Sequence, residues 1–138
     1  MNQKVPRESW RVIEIVIRRY PDNIKTYDSE VKSMVVHSVA DDGMPKGSGT
    51  GDPTFRAAVK LTESPRLSRI NKEIRAVRDS FDMLPEQYKT IIVARYWSNR
   101  YHNRPYLEIE HITGYAEAQM KRVCGAFVRS VGEKLGEL

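Results

Sequence analysis

Three cations and two small residues fall where one face of a helix would carry them. Between Tyr106 and Val131, the residues Met120, Val123, Cys124, Phe127 and Val131 recur at three- and four-residue spacing, the buried stripe of an amphipathic helix. At about 100° per residue, Ala118, Lys121, Arg122, Gly125 and Arg129 then point the opposite way. Lysine and arginine meet phosphates, arginine can take guanine through two N–H donors, and small side chains let a duplex come close. Recognition of a polyanion, duplex DNA above all, is the chemistry this pattern supports. A glycine inside a helix costs about 1 kcal/mol relative to alanine, so Gly125 asks for a reason. Either something approaches the backbone there, or the missing side chain relieves crowding against Trp10 or a neighbouring helix.

Composition agrees with such a partner and excludes several others. The 138 residues carry a net charge of +5 with 40% hydrophobic residues, the profile of a folded basic protein. Charge is uneven: residues 1–20 carry +3, 21–52 carry −3, 53–84 carry +3 and 85–138 carry +2. One cysteine, Cys124, allows no intrachain disulfide, and with His37, His102 and His111 it offers no metal-ligand spacing. No nucleophile–base–orienter set emerges, Asp41-Asp42 reads as loop solvation, and neither an enzyme nor a cofactor is expected. The apolar run WRVIEIVI is too short to span a bilayer and is broken by Arg11 and Glu14. A soluble, cytoplasmic protein that is not at a membrane is expected.

The elements that must position the cationic face are helical throughout, so the expected class is all-α. A first helix should run from Pro6 to Tyr20, with Pro21 ending it. Trp10, Val12, Ile13, Ile15, Val16 and Ile17 make its apolar surface wider than one stripe, as if buried on two sides. A second copy of the chain is a candidate cover, giving a homodimer through this helix. A second helix would align Tyr27, Val31, Met34, Val35 and Ser38. Then ADDGMPKGSGTGD, Ala40 to Asp52, reads as a linker. Its phosphate-loop reading fails, because Lys46 precedes Gly47 and no strand leads in.

Asp52-Pro53 should open a short helix carrying Phe55, Ala58, Val59 and Leu61, and Ser64-Pro65 repeats that start signal. The helix it opens places Leu67, Ile70, Ile74, Val77, Phe81 and Leu84 on one seam. Its Arg66, Arg69, Lys72, Arg75 and Arg78 spiral round the axis and read as a solvated surface. Pro85 starts another helix with Tyr88, Ile91, Ile92 and Tyr96 on one face and Trp97 adjacent, and Pro105 reopens helix after SNRYHNRP.

These parts converge on a helix-turn-helix unit. Leu107, Ile109 and Ile112 are available to the core from its first helix. Gly114 can turn the chain through positive φ, and Tyr115 can staple the turn inward. Two residues depart from the pattern. Glu110 stands where a small residue is wanted and Thr113 where a large aliphatic one is. The unit can still form if Glu110 bends outward and Ile112 takes the core position.

Upstream, DMLPEQYKTIIVARYWSN resembles the helix before the helix-turn-helix in region 4 of bacterial sigma factors, with Leu84-Pro85 opening it and Arg95-Tyr96 closing it. More of the chain resembles phage transcriptional regulators of the RinA and ArpU type. Tyr20-Pro21 ends the first helix, a Gly/Ser/Thr-rich loop leads into Asp52-Pro53-Thr54, and a basic amphipathic helix follows. The resemblance implies a sequence-specific regulator of phage or prophage late genes, acting in the bacterial cytoplasm at the nucleoid beside the host RNA polymerase. Three regions are expected: a helical 1–39 that is a candidate for oligomerisation, a flexible 40–52, and 53–138 as the DNA-binding domain that resembles sigma region 4. The recognition-helix role falls on Glu117, Ala118, Lys121 and Arg122, with Arg129 further along. Glu117 can accept from cytosine or, the better reading, stabilise the helix start against the dipole. Arg100, His102 and Arg104 stand in the preceding loop, where they either meet backbone phosphates or are simply solvated. Two rival functions remain: a DNA-packaging protein similar to small terminase subunits, and an interaction module that binds polymerase without touching DNA.

Overall fold

The computed structural model describes residues 5–41, 64–99 and 102–138, without the side chains of 35–41. The expected helix at Phe55–Leu61, Arg100 and nearly all of the Gly-rich loop lie outside the described residues. The described residues form six helices: α1 Arg7–Arg18, α2 Tyr20–Asp41, α3 Pro65–Asp82, α4 Glu86–Ile92, α5 Tyr106–Thr113 and α6 Glu117–Leu135. α4 continues into a π-helical turn, Val93–Trp97. No strand occurs among the described residues, so the chain is all-α.

Local sequence explains most of the boundaries. The Pro6 carbonyl receives the Trp10 N–H at 3.0 Å, and proline lacks only an N–H that the helix start leaves unpaired anyway. α1 ends at Arg18, Arg19 breaks the helix, and Tyr20-Pro21 begins the first turn of α2. Pro21 therefore opens a helix, where it had been expected to close one. α2 also runs through Ala40 to Asp41, two residues into the segment read as linker. At Ser64 the start signal holds: its hydroxyl accepts the Leu67 N–H at 3.3 Å.

The chain divides into two compact units, 1–21 with 73–138, and 22–72. Within 22–72, Leu67, Ile70 and Asn23 are buried and Arg66 pairs with Glu30 at 3.6 Å across exposed side chains. Within the other unit, one core joins the first helix to the C-terminal ones. Ile13, Val16 and Ile17 of α1 pack with Ala76 and Val77 of α3, Ile91 and Ile92 of α4, Ile109 of α5, and Met120, Val123, Cys124, Phe127, Val128 and Val131 of α6. Each fully buried aliphatic side chain is worth about 1.5–3 kcal/mol, so α1 is held mainly by its own chain. That accounts for one side of its wide apolar surface; Val12 and Ile15 remain 44% exposed.

Two residues of the π-helical turn tie α1 down. Tyr96 is buried and donates to Glu14 Oε2 at 3.0 Å, and the Trp97 indole N–H donates to the Ile17 carbonyl at 2.8 Å. Trp97 also stacks edge-on with Phe81 and Phe127. A π turn needs one more residue per loop of backbone than an α turn, and here the Ser98 N–H reaches Val93 O at 2.9 Å.

Candidate nucleic-acid interface

The turn between α5 and α6 is built as the glycine suggested. Gly114 has φ 78°, and its N–H donates to Glu110 O at 2.9 Å. Residues with a side chain rarely adopt that conformation. Tyr115 is half-buried and meets Tyr88 edge-to-face at 5.8 Å, which staples the turn inward. The two departures are absorbed differently from expectation. Glu110 does point to solvent, but Ile112 does not take the core position: it is 59% exposed and Leu107 is 70% exposed. Ile109 is the buried residue of α5, and half-buried Tyr106 packs against the same core. Thr113 folds its hydroxyl back onto Ile109 O at 2.9 Å and accepts the Tyr115 N–H at 3.3 Å.

α6 then presents the two faces its spacing requires. Met120, Val123, Cys124, Phe127 and Val131 are all buried, whereas Ala118, Lys121, Arg122 and Arg129 are exposed and Gly125 is half-buried. Glu117 pairs with Lys121 at 3.2 Å in the first turn of α6, where a carboxylate also favours the helix dipole. An exposed pair of this kind contributes only about 0.3–0.5 kcal/mol, so Lys121 remains able to exchange it for a phosphate. Neither Arg122 nor Arg129 pairs with a carboxylate among the described residues. Beside α6, Gln119 donates to the Tyr88 hydroxyl at 3.2 Å.

The loop residues divide. His102 is exposed. Arg104 is occupied within the loop: it donates to Ser98 Oγ at 3.0 Å and pairs with Glu108 at 3.5 Å. Its carbonyl also accepts from Arg95 at 2.7 Å. It is a clasp that sets the entry to α5, and Arg95 completes the clasp by lying 4.0 Å over the Tyr106 ring. Sequence reasoning missed Tyr106. Its ring sits beneath Lys121 at 5.7 Å. Burial pushes the Cys124 thiol up to about 11, against smaller lowering effects from Tyr106 and Arg95. Burial likewise raises the Tyr106 phenol. Cys124 is thus a neutral core residue, as expected.

Tyr106 and Trp10 wall a cleft of about 460 Å³, completed by Lys121, Arg122, Gly125 and Arg129. A second cleft of about 410 Å³ lies on the other side of Arg122, against Leu84, Pro85, Tyr88 and Gln119. No group of three or more His, Cys, Asp or Glu side chains that could hold a metal occurs among the described residues. No described helix is long and apolar enough to cross a membrane. Neither a protein-family model, a curated protein nor a solved structure matches the chain.

Proposed function

We propose that the protein is a DNA-binding transcriptional regulator that lays α6 in the major groove, as its resemblance to phage late-gene regulators implies. One observation carries this reading. Beyond a left-handed turn at Gly114, Arg122 and Arg129 stand exposed, with no carboxylate partner among the described residues, on the face of α6 that also carries Ala118 and Gly125. Cations on a helix without internal carboxylate partners keep their full value for phosphates or guanine edges, and the small residues between them let the duplex approach.

The test is selection of bound duplexes from a random pool, followed by anisotropy titration of the winner against Arg122→Ala and Arg129→Ala. Both side chains are exposed, so melting temperature should stay unchanged. Each variant should bind less tightly and lower the slope of log affinity against log salt by about one. Unchanged affinity in both, or wild-type binding that is flat with salt, would remove the reading.

A second reading has its own observation. Leu107 and Ile112 leave two large aliphatic side chains of α5 in solvent, which suits a protein partner such as RNA polymerase. Capture of polymerase by a protein that binds no DNA even at low salt would favour it over groove binding. A packaging protein would instead form a ring, which solution mass detects.

A further inference from the structure

We propose that the cleft over Gly125 receives a nucleotide presented out of its base stack, with the base against the Trp10 indole and the phosphate between Arg122 and Arg129. The inference rests on α6 being the DNA-contacting helix and names what that face prefers.

Two glycines of α6 face α1, and only one of them is explained by packing. A Cβ at Gly132 would lie 2.5 Å from Ile13 Cδ1 and 3.0 Å from Leu138 Cδ1, so side chains already fill that space. At Gly125 the nearest atom to an added Cβ is Trp10 Cη2 at 3.8 Å, an ordinary contact. Alanine would fit there and would suit the helix better. Crowding against Trp10 therefore does not require glycine, and the bare backbone is left as the floor of an open cleft.

The chemistry of the walls narrows the occupant. Trp10 is half-buried, so part of its ring faces the cleft, and Tyr106 offers a second aromatic edge. Lys121, Arg122 and Arg129 ring the opening. The Glu117 carboxylate is held by Lys121, and the Glu14 carboxylate, which acts on Tyr106, receives the Tyr96 hydroxyl and the Asn103 amide. A flat apolar floor and wall inside a cationic rim fit a planar base joined to a phosphate. A fully paired duplex keeps its bases edge-on inside the stack and cannot lay one on the indole. An unpaired or extruded nucleotide can, and base–aromatic stacking of this kind tolerates any base.

The test compares three labelled DNAs of one sequence: a paired duplex, the duplex with one unpaired nucleotide, and the duplex with an abasic residue at that position. The unpaired nucleotide should tighten binding about tenfold, and the abasic duplex should lose that gain. Indole fluorescence should be quenched in wild type and not in Trp10→Phe. Trp10→Ala should abolish the preference. Gly125→Leu, which fills the floor and leaves the indole in the protein, should do the same if Trp10→Ala lowers stability. Saturable quenching by adenosine monophosphate alone would support the same chemistry with a free nucleotide as its source. Duplex binding that is equal for all three DNAs and unaffected by Gly125→Leu would overturn the inference and leave the regulator reading intact. Absence of binding to any of them would overturn the regulator reading itself.

Discussion

Alanine placed at Gly125 and at Gly132 should move stability in opposite directions, although both glycines sit on one face of α6 against α1. Replacing a mid-helix glycine by alanine gains about 1 kcal/mol through lost freedom of the unfolded chain. At Gly125 nothing opposes that gain, because the new methyl would meet Trp10 at 3.8 Å. The expected shift is about 0.5–1 kcal/mol of added stability, or about 2–4 °C in melting temperature for a chain of this size. At Gly132 the methyl would lie 2.5 Å from Ile13 Cδ1. Leu138, 47% exposed, can swing aside, but Ile13 is fully buried, and in a close-packed core its side chain moves only by displacing neighbours. Overpacking of this sort costs about 1–3 kcal/mol, which outweighs the propensity gain and leaves a net loss of about 1 kcal/mol. Chemical denaturation of both variants beside wild type measures the pair. Two stabilised variants would mean that α1 does not press on α6 at Gly132. Two destabilised ones would mean that Gly125 is required by packing, and the premise for an external occupant would go with it.

Other consequences of the geometry can be measured separately. Gly114→Ala meets no atom within 4 Å, so its cost is the left-handed backbone alone, about 1–2 kcal/mol; a thermal melt within a few tenths of wild type would contradict the turn. Tyr96→Phe removes the hydroxyl that donates to Glu14, but Asn103 still donates to the same oxygen at 3.0 Å. The loss should therefore stay near the low end for bonds to charged groups, about 1.5 kcal/mol by urea titration, and no loss would remove the link between α1 and the π turn. Cys124 has its thiol raised from 9.0 to about 11, so the folded state favours the neutral form. Its contribution is complete below pH 9 and is lost as pH climbs through 11. The buried Tyr96 phenol, also raised, works in the same direction. Melting temperature should fall steadily above pH 9, by less in Cys124→Ala, and an alkaline plateau in wild type would refute the assignment.

What could be read beforehand divides along physical lines. Periodicity located α3 and both faces of α6, because long amphipathic stripes leave little choice of which side is buried. It could not choose among Leu107, Ile109 and Ile112, since those positions do not share one face of an eight-residue helix and only tertiary contact selects Ile109. Proline at 21 fits both a helix end and a first turn, so the break at Arg19 was not legible. Nor was the partner of α1: a stripe carries no record of which distant stripe covers it, and Ile13 finds α6 more than a hundred residues away. The π turn was hidden for a similar reason. Adjacent Tyr96 and Trp97 both reach partners in α1, which a regular helix, turning about 100° per residue, would make harder to satisfy together.

The odd residues of the turn also explain why the motif tolerates them. Where two helices cross, a large polar residue is excluded only if it must lie between them, and here α5 meets the core through Ile109 and half-buried Tyr106, so Glu110 turns away at little cost. Before the glycine, an aliphatic side chain would fill space, whereas Thr113 supplies bonds: one to its own helix and one from the first residue beyond the turn. Its hydroxyl also lies 3.5 Å from Met120 Sδ, on the buried side of α6. Threonine thus replaces packing by a local network across the turn. The direction in which α6 leaves Gly114, and with it the placement of Arg122 and Arg129, depends on that network as much as on the glycine.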